Sequence, residues 1–191
     1  VGTTEVQLSR PLDFAAITDH AEFFGEVYAC STEGVLGYDS DLCAGYREAD
    51  ATSIQEFGVR LAAQDPERFE GLCSDDGCGE ISDSIWADVQ RAAEDAYDRT
   101  EACEFTSFVG YEWSGATNVV NLHRNVIFGS AVVPDAPLTY FEEPTTDGLW
   151  AWMDEACLAT GSGCDVLAIP HNSDLSNGQL YSVDLDAETA A

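Results

Sequence analysis

The chain has 191 residues, with 36 acidic side chains against 7 basic ones and a formal net charge of −29. A polyanion of this kind repels nucleic acid and anionic membranes, which excludes both as partners. A hydrophobic content of 45% excludes wholesale disorder. All seven bases are arginine. The acids are scattered along the chain, which suits a solvated surface in a salty or calcium-rich medium.

In chain order, the first clear element is the apolar run Phe14-Ala15-Ala16-Ile17, of buried-strand length. It ends in Thr18-Asp19-His20, so two titratable side chains stand at the carboxyl end of a strand, where α/β folds keep ligands and metals. Glu22 and an apolar pair follow, as a helix begins. A plainer reading of these residues is a capping box, with Asp19 as N-cap, Glu22 three positions on and His20 an ordinary first-turn residue.

Residues 30–53 read as loop. A short helix is expected from Ser53 to Ala63, carrying Ile54, Phe57 and Leu61. Pro66 and the segment Cys73 to Cys78 form an irregular insert. The clearest helix starts at Ser82, with Ile85, Trp86, Val89, Ala92, Ala93, Ala96 and Tyr97 in one stripe. Thr106 to Tyr111 is a strand leading into Glu112-Trp113, and Leu122 to Phe128 is another. Leu149 to Leu158 reads as a helix. Asp165 to Ile169 is a fourth strand, ending in Pro170-His171-Asn172. Helical segments separate successive strands, which argues for an α/β domain with parallel pairing. No repeat and no linker is visible, so residues 1–191 are read as one domain.

Seven cysteines occur without a CxxC pair, and the histidine spacing fits no zinc finger. Disulfides in an oxidising compartment are expected, with Cys30–Cys43 and Cys157–Cys164 as pairs and Cys73, Cys78 and Cys103 sharing a third bridge. No signal peptide and no apolar run of membrane-spanning length is seen. Localisation is expected to be periplasmic or extracellular.

All three histidines, His20, His123 and His171, lie at or beside strand ends, and Glu112 ends another strand. Imidazoles and carboxylates around one mouth bind divalent transition metals. Each residue also has a plainer role. His123 can pack on the sheet, His171 can sit in a turn formed by Asn172, and Glu112 can pair with Arg124.

Four motifs, TDHAEFFG, FVGYEWSG, NLHRNVIFG and AIPHNSDLSNG, together resemble the PHP (polymerase and histidinol phosphatase) superfamily. The nearest likeness is to an uncharacterised, often exported branch known only as a domain of unknown function. The resemblance implies part of a distorted (β/α)7, TIM-like barrel, here with disulfide-bearing loop insertions. It implies up to three metals, zinc, manganese or iron, at the barrel mouth. His20, Glu112, His123 and His171 would be metal ligands, Glu112 bridging two of them. Glu112 and Asp19, which would orient a ligand, are the catalytic candidates. Arg124 and Asn172, beside those ligands, are candidates to contact a substrate anion. An opening HxH and a closing DxH motif of the superfamily are missing. The chain is therefore expected to be a central piece, incomplete at both ends, completed by N- and C-terminal segments of the same protein.

The resulting expectation is a metal-dependent hydrolase of PHP type, a phosphoesterase in which metal-bound hydroxide attacks a small-molecule ester. The rival is a non-catalytic extracellular domain that keeps the barrel for binding or assembly. Calcium is a further candidate there, at the acidic segments YDSDLC and CSDDGCGE. A nucleophile-dependent hydrolase fits poorly, because no GxSxG occurs.

Overall fold

A computed structural model describes residues 7–63, 66–73 and 77–181. In chain order the elements are β1 (Phe14–Ala16), α1 (Phe24–Ser31), α2 (Asp41–Arg47), α3 (Ala51–Leu61) and α4 (Gly79–Ala96). They continue with β2 (Thr106–Phe108), β3 (Gly110–Trp113), β4 (Arg124–Phe128), α5 (Thr146–Ala156) and β5 (Val166–Pro170). Three helices begin on side-chain caps: Ser40 accepts from the Cys43 amide, Asp50 from that of Ser53 and Thr145 from that of Gly148. Helix α2 falls inside the stretch read as loop. It is only seven residues long, too short to show periodicity, and a disulfide holds it.

The strands do not form the expected barrel. β1 and β2 make a two-stranded parallel sheet, while β3, β4 and β5 make a three-stranded antiparallel one. The connection from β3 to β4, residues 114–123, holds only one short 3-10 turn, Thr117–Val119. Without a crossover helix the chain turns straight back, and antiparallel pairing follows. β5 also runs antiparallel to β4, and the outer strands of the two sheets are not paired with one another, so the sheet stays open. A single parallel bridge, His20 to Glu112, ties the two sheets together. The architecture is mixed α/β, not a TIM-like barrel.

One face of the antiparallel sheet carries the larger core. Tyr111 and Trp113 of β3 and Val126 and Phe128 of β4 pack against Trp86 of α4 and Leu149 of α5, all nearly or fully buried. The other face is open. There Phe14, Ala16, Ile127, Leu167 and Ile169 line a groove of about 370 Å³, and Phe14 is 65% exposed.

A second core joins α1 to α3 with the insert that follows them: Phe23, Phe57, Phe69 and Leu72 pack there with buried cysteines. Cys30–Cys43 staples α1 to α2, Cys73–Cys78 closes the insert, and Cys157–Cys164 closes the turn after α5. Cys103 is free and exposed. These are the expected pairs, and the third bridge leaves Cys103 out. Three disulfides are the chemistry of an oxidising compartment. Among the described residues no helix is long and apolar enough to cross a membrane.

Two outcomes test this fold. Alkylation of the unfolded, unreduced chain should modify Cys103 alone, read by peptide mass spectrometry, with the other cysteines reacting only after reduction. Gly25→Ala should lower unfolding stability by about 1–3 kcal/mol in denaturant titration. A Cβ there would meet the Cys78 carbonyl oxygen and Cβ at 2.6 Å, where α1 crosses the start of α4.

Candidate functional site

Strand geometry decides which side chains meet. Directly opposed residues of an antiparallel pair share a face. Glu112 is opposite Asn125 and Trp113 is opposite Arg124, so Glu112 points to the open face while Arg124 points to the core. The Glu112 amide donates to the Asp19 carbonyl at 2.8 Å, which brings His20 alongside Glu112. His123 immediately precedes β4 and His171 immediately follows β5. Because those strands are antiparallel partners, both histidines arrive at the same end of the sheet, and the His171 amide donates to the His123 carbonyl at 3.1 Å.

Three imidazoles thus surround one carboxylate that is 4% exposed. His123 Nδ1 lies 2.6 Å from Glu112 Oε1, His171 Nδ1 lies 3.4 Å from the same oxygen, and His20 Nδ1 lies 3.5 Å from Oε2. The His20 and His123 rings meet edge to face at 5.6 Å. Burial pushes the Glu112 carboxyl up. The His123 hydrogen bond and the charges of His20, His123 and His171 together outweigh that and hold it below its ordinary value. His20, Glu112 and His123 offer ligand atoms within 4.8 Å of one another, the one such group among the described residues.

The other candidates are placed differently. Asp19 contributes its main-chain carbonyl to Glu112 and lines a separate groove with Ile17, Ile85 and Val89. Asn172 closes a turn, accepting from the Asp174 amide at 3.0 Å, and its Nδ2 sits 3.1 Å from His171 Nδ1. Arg124 is 6% exposed and donates to the carbonyls of Leu122, His123 and Leu180. Its charge is engaged by main chain, so it holds the strand that carries His123 and does not offer itself to a substrate anion. Of the two acidic segments considered for calcium, YDSDLC is taken up by the capped start of α2, and residues 74–76 of the other lie outside the described residues.

Two residues of the site are ones that motif reading passes over. Ser114 Oγ sits 2.6 Å from His20 Nδ1. It lies two positions beyond Glu112 and therefore on the same face, a signal present in the sequence. Glu22 is fully buried, and its Oε1 accepts from the amides of Ser114 and Tyr140 at 2.8 and 3.1 Å. It does not complete a capping box: the 3-10 turn Ala21–Phe23 has no side-chain cap. One turn on, Glu26 is also fully buried. Burial pushes its carboxyl up, and Arg68 at 3.4 Å opposes the shift. Arg68 also donates to the Glu22 carbonyl and to Glu142.

The family model described as "Protein of unknown function (DUF3604)" matches residues 2–190. The chain belongs to this family. No curated protein and no solved structure matches it. A buried carboxylate fixed by main chain, with three imidazoles from three separate segments, can hold a divalent cation or share protons between its members.

Glu22→Ala would strand two buried amides. Unfolding stability should fall by about 2–5 kcal/mol in denaturant titration, a large effect for a residue that looks like a surface cap.

Proposed function

We propose that this chain is a metal-dependent hydrolase of the PHP type, a phosphoesterase in which His20, Glu112, His123 and His171 hold the cations. The observation that carries the proposal is the gathering of three imidazole rings around the buried Glu112 carboxylate. The donor set fits: imidazole with carboxylate suits zinc, manganese and iron, and the number of donors exceeds what a single hydrogen-bonded pair needs. The two Glu112 oxygens face different histidines, Oε1 towards His123 and His171 and Oε2 towards His20. The resemblance of the four motifs to the PHP superfamily supports the same reading.

A divalent cation in this place supplies Lewis acidity, acidifying water and neutralising charge that develops on an ester oxygen. The chain's own residues set up that chemistry. Ser114 holds the His20 ring by its Nδ1, Glu22 fixes the Ser114 main chain, and Arg124 fixes the carbonyls on either side of the His123 backbone. Partners that hold ligands in this way orient them and sharpen metal affinity. From the three disulfides we further infer export to the periplasm or the extracellular medium.

A second reading, a non-catalytic extracellular domain that works in an assembly, is favoured by the exposed apolar side chains Phe14, Ile17, Leu167 and Ile169. Metal analysis and hydrolysis separate the two. Protein purified without chelator or affinity tag should carry about one equivalent or more of zinc, manganese or iron, and Glu112→Ala should drop it below about 0.2. Chelator should abolish hydrolysis of an aryl phosphate, and added metal should restore it. A well-folded chain without transition metal would leave the assembly reading.

A further inference from the structure

Beside His20 and away from the open sheet face lies a groove of about 310 Å³ lined by His20, Phe23, Val27, Tyr46, Ile54, Phe57, Gly58 and Leu61. Apart from His20 its lining is apolar or aromatic, and no acid or arginine takes part. The size is at the lower end of small-molecule pockets. Its walls are firm: Phe23 packs edge to face on Phe57 at 5.0 Å, and Phe57 packs on Phe69 at 4.7 Å. Its mouth is unsatisfied, because Ile54 on the rim remains 45% exposed.

Gly58 is the informative residue. It sits inside α3, where glycine costs about 1 kcal/mol relative to alanine. Its backbone has no positive φ, and a Cβ built on it meets nothing within 4 Å. Neither a turn nor a close approach calls for glycine here. What the missing side chain does is notch the stripe formed by Ile54, Phe57 and Leu61, and so open the groove next to His20.

The charges around the groove are engaged elsewhere. Arg60 donates to the Arg68 carbonyl and stacks over Phe69, Arg68 is held by Glu22, Glu26 and Glu142, and Arg124 is held by carbonyls. A further anionic group on a substrate would meet no free cation in the lining and would face a chain of net charge −29.

We propose that the groove seats an uncharged aryl or branched-alkyl group of the substrate, so that the ester hydrolysed is a monoester of an apolar alcohol. The inference rests on the hydrolase reading above and names its substrate class. In the reaction, water oxygen bonds to phosphorus, the bond from phosphorus to the alkoxy oxygen breaks, and the apolar alcohol leaves carrying a proton from that water.

The test compares 1-naphthyl phosphate with methyl phosphate on the full chain loaded with manganese or zinc. In Gly58→Leu the ratio of kcat/KM for the naphthyl over the methyl ester should fall about tenfold or more, through KM, because the side chain occupies the groove. Gly58→Ala, which changes the helix in the same sense but fills little space, should retain most of the ratio. Thermal unfolding of both variants controls for folding. Hydrolysis with an unchanged ratio in Gly58→Leu would overturn the groove assignment and leave the hydrolase reading standing. Absence of hydrolysis of either ester by the metal-loaded wild type would overturn the hydrolase reading, and the substrate assignment with it. Fluorescence titration of 1-naphthyl phosphate would then show whether the groove binds an aryl group without chemistry.

Discussion

The site depends on one main-chain hydrogen bond, from the Glu112 amide to the Asp19 carbonyl at 2.8 Å. It extends the parallel pairing of β1 past the end of β2, to the point where the antiparallel sheet begins. That single bridge places His20 beside Glu112 on the open face. The remaining geometry follows from register. With Glu112 opposite Asn125, the residue before β4 reaches the carboxylate, and with Arg124 opposite Pro170, the residue after β5 reaches it as well. Three histidines far apart in the chain therefore meet without any long side-chain reach.

A chain this acidic keeps almost all its carboxylates in water, and among the described residues those that are buried are Glu22, Glu26 and Glu112. Burying an ionised carboxylate is costly unless hydrogen bonds or opposite charge replace the lost water. Each of the three has a different answer. Glu22 Oε1 accepts from two backbone amides while its buried Oε2 has no hydrogen-bond partner among the described residues, Glu26 pairs with Arg68, and Glu112 meets the histidines. Glu22, in the turn before α1, holds the Ser114 and Tyr140 amides, and Glu26, inside α1, pairs with Arg68, which also donates to the Glu22 carbonyl. The scaffold of the site is thus itself polar, and a change in it acts on stability and on the position of His20 at once.

Elements with enough length and pattern were legible in the sequence. The Trp86 stripe predicts α4, and the apolar runs at residues 14–17, 122–128 and 165–169 predict strands that form close to those bounds, whereas the run read as one strand over 106–111 breaks at Val109 into β2 and β3 of different sheets. The histidines and Glu112 stood out because histidine is scarce and each lay at a strand end. Local disulfides were legible too, since the paired cysteines lie 13, 5 and 7 positions apart. What escaped were residues whose role depends on a distant partner. Glu22 looks like a cap, and Arg124 looks like an anion-binding arginine beside a ligand. Only Leu180, 56 residues away, and the Leu122 and His123 carbonyls reveal where the Arg124 charge goes.

The sequence by itself indicated most of the elements, the Cys30–Cys43 and Cys157–Cys164 bridges and the identity of the donor side chains. These depend on local periodicity, loop length and side-chain chemistry. It did not determine strand direction. Alternation of helices and strands pointed to parallel pairing and the motif resemblance to a barrel, whereas β3, β4 and β5 pair antiparallel in an open sheet, β3 and β4 through a connection without a crossover helix. Direction and register set which face each side chain occupies, because strand side chains alternate with a period of two. Tertiary structure alone therefore decided that Glu112 faces His20, His123 and His171 while its neighbour Trp113 and the opposed Arg124 face the core.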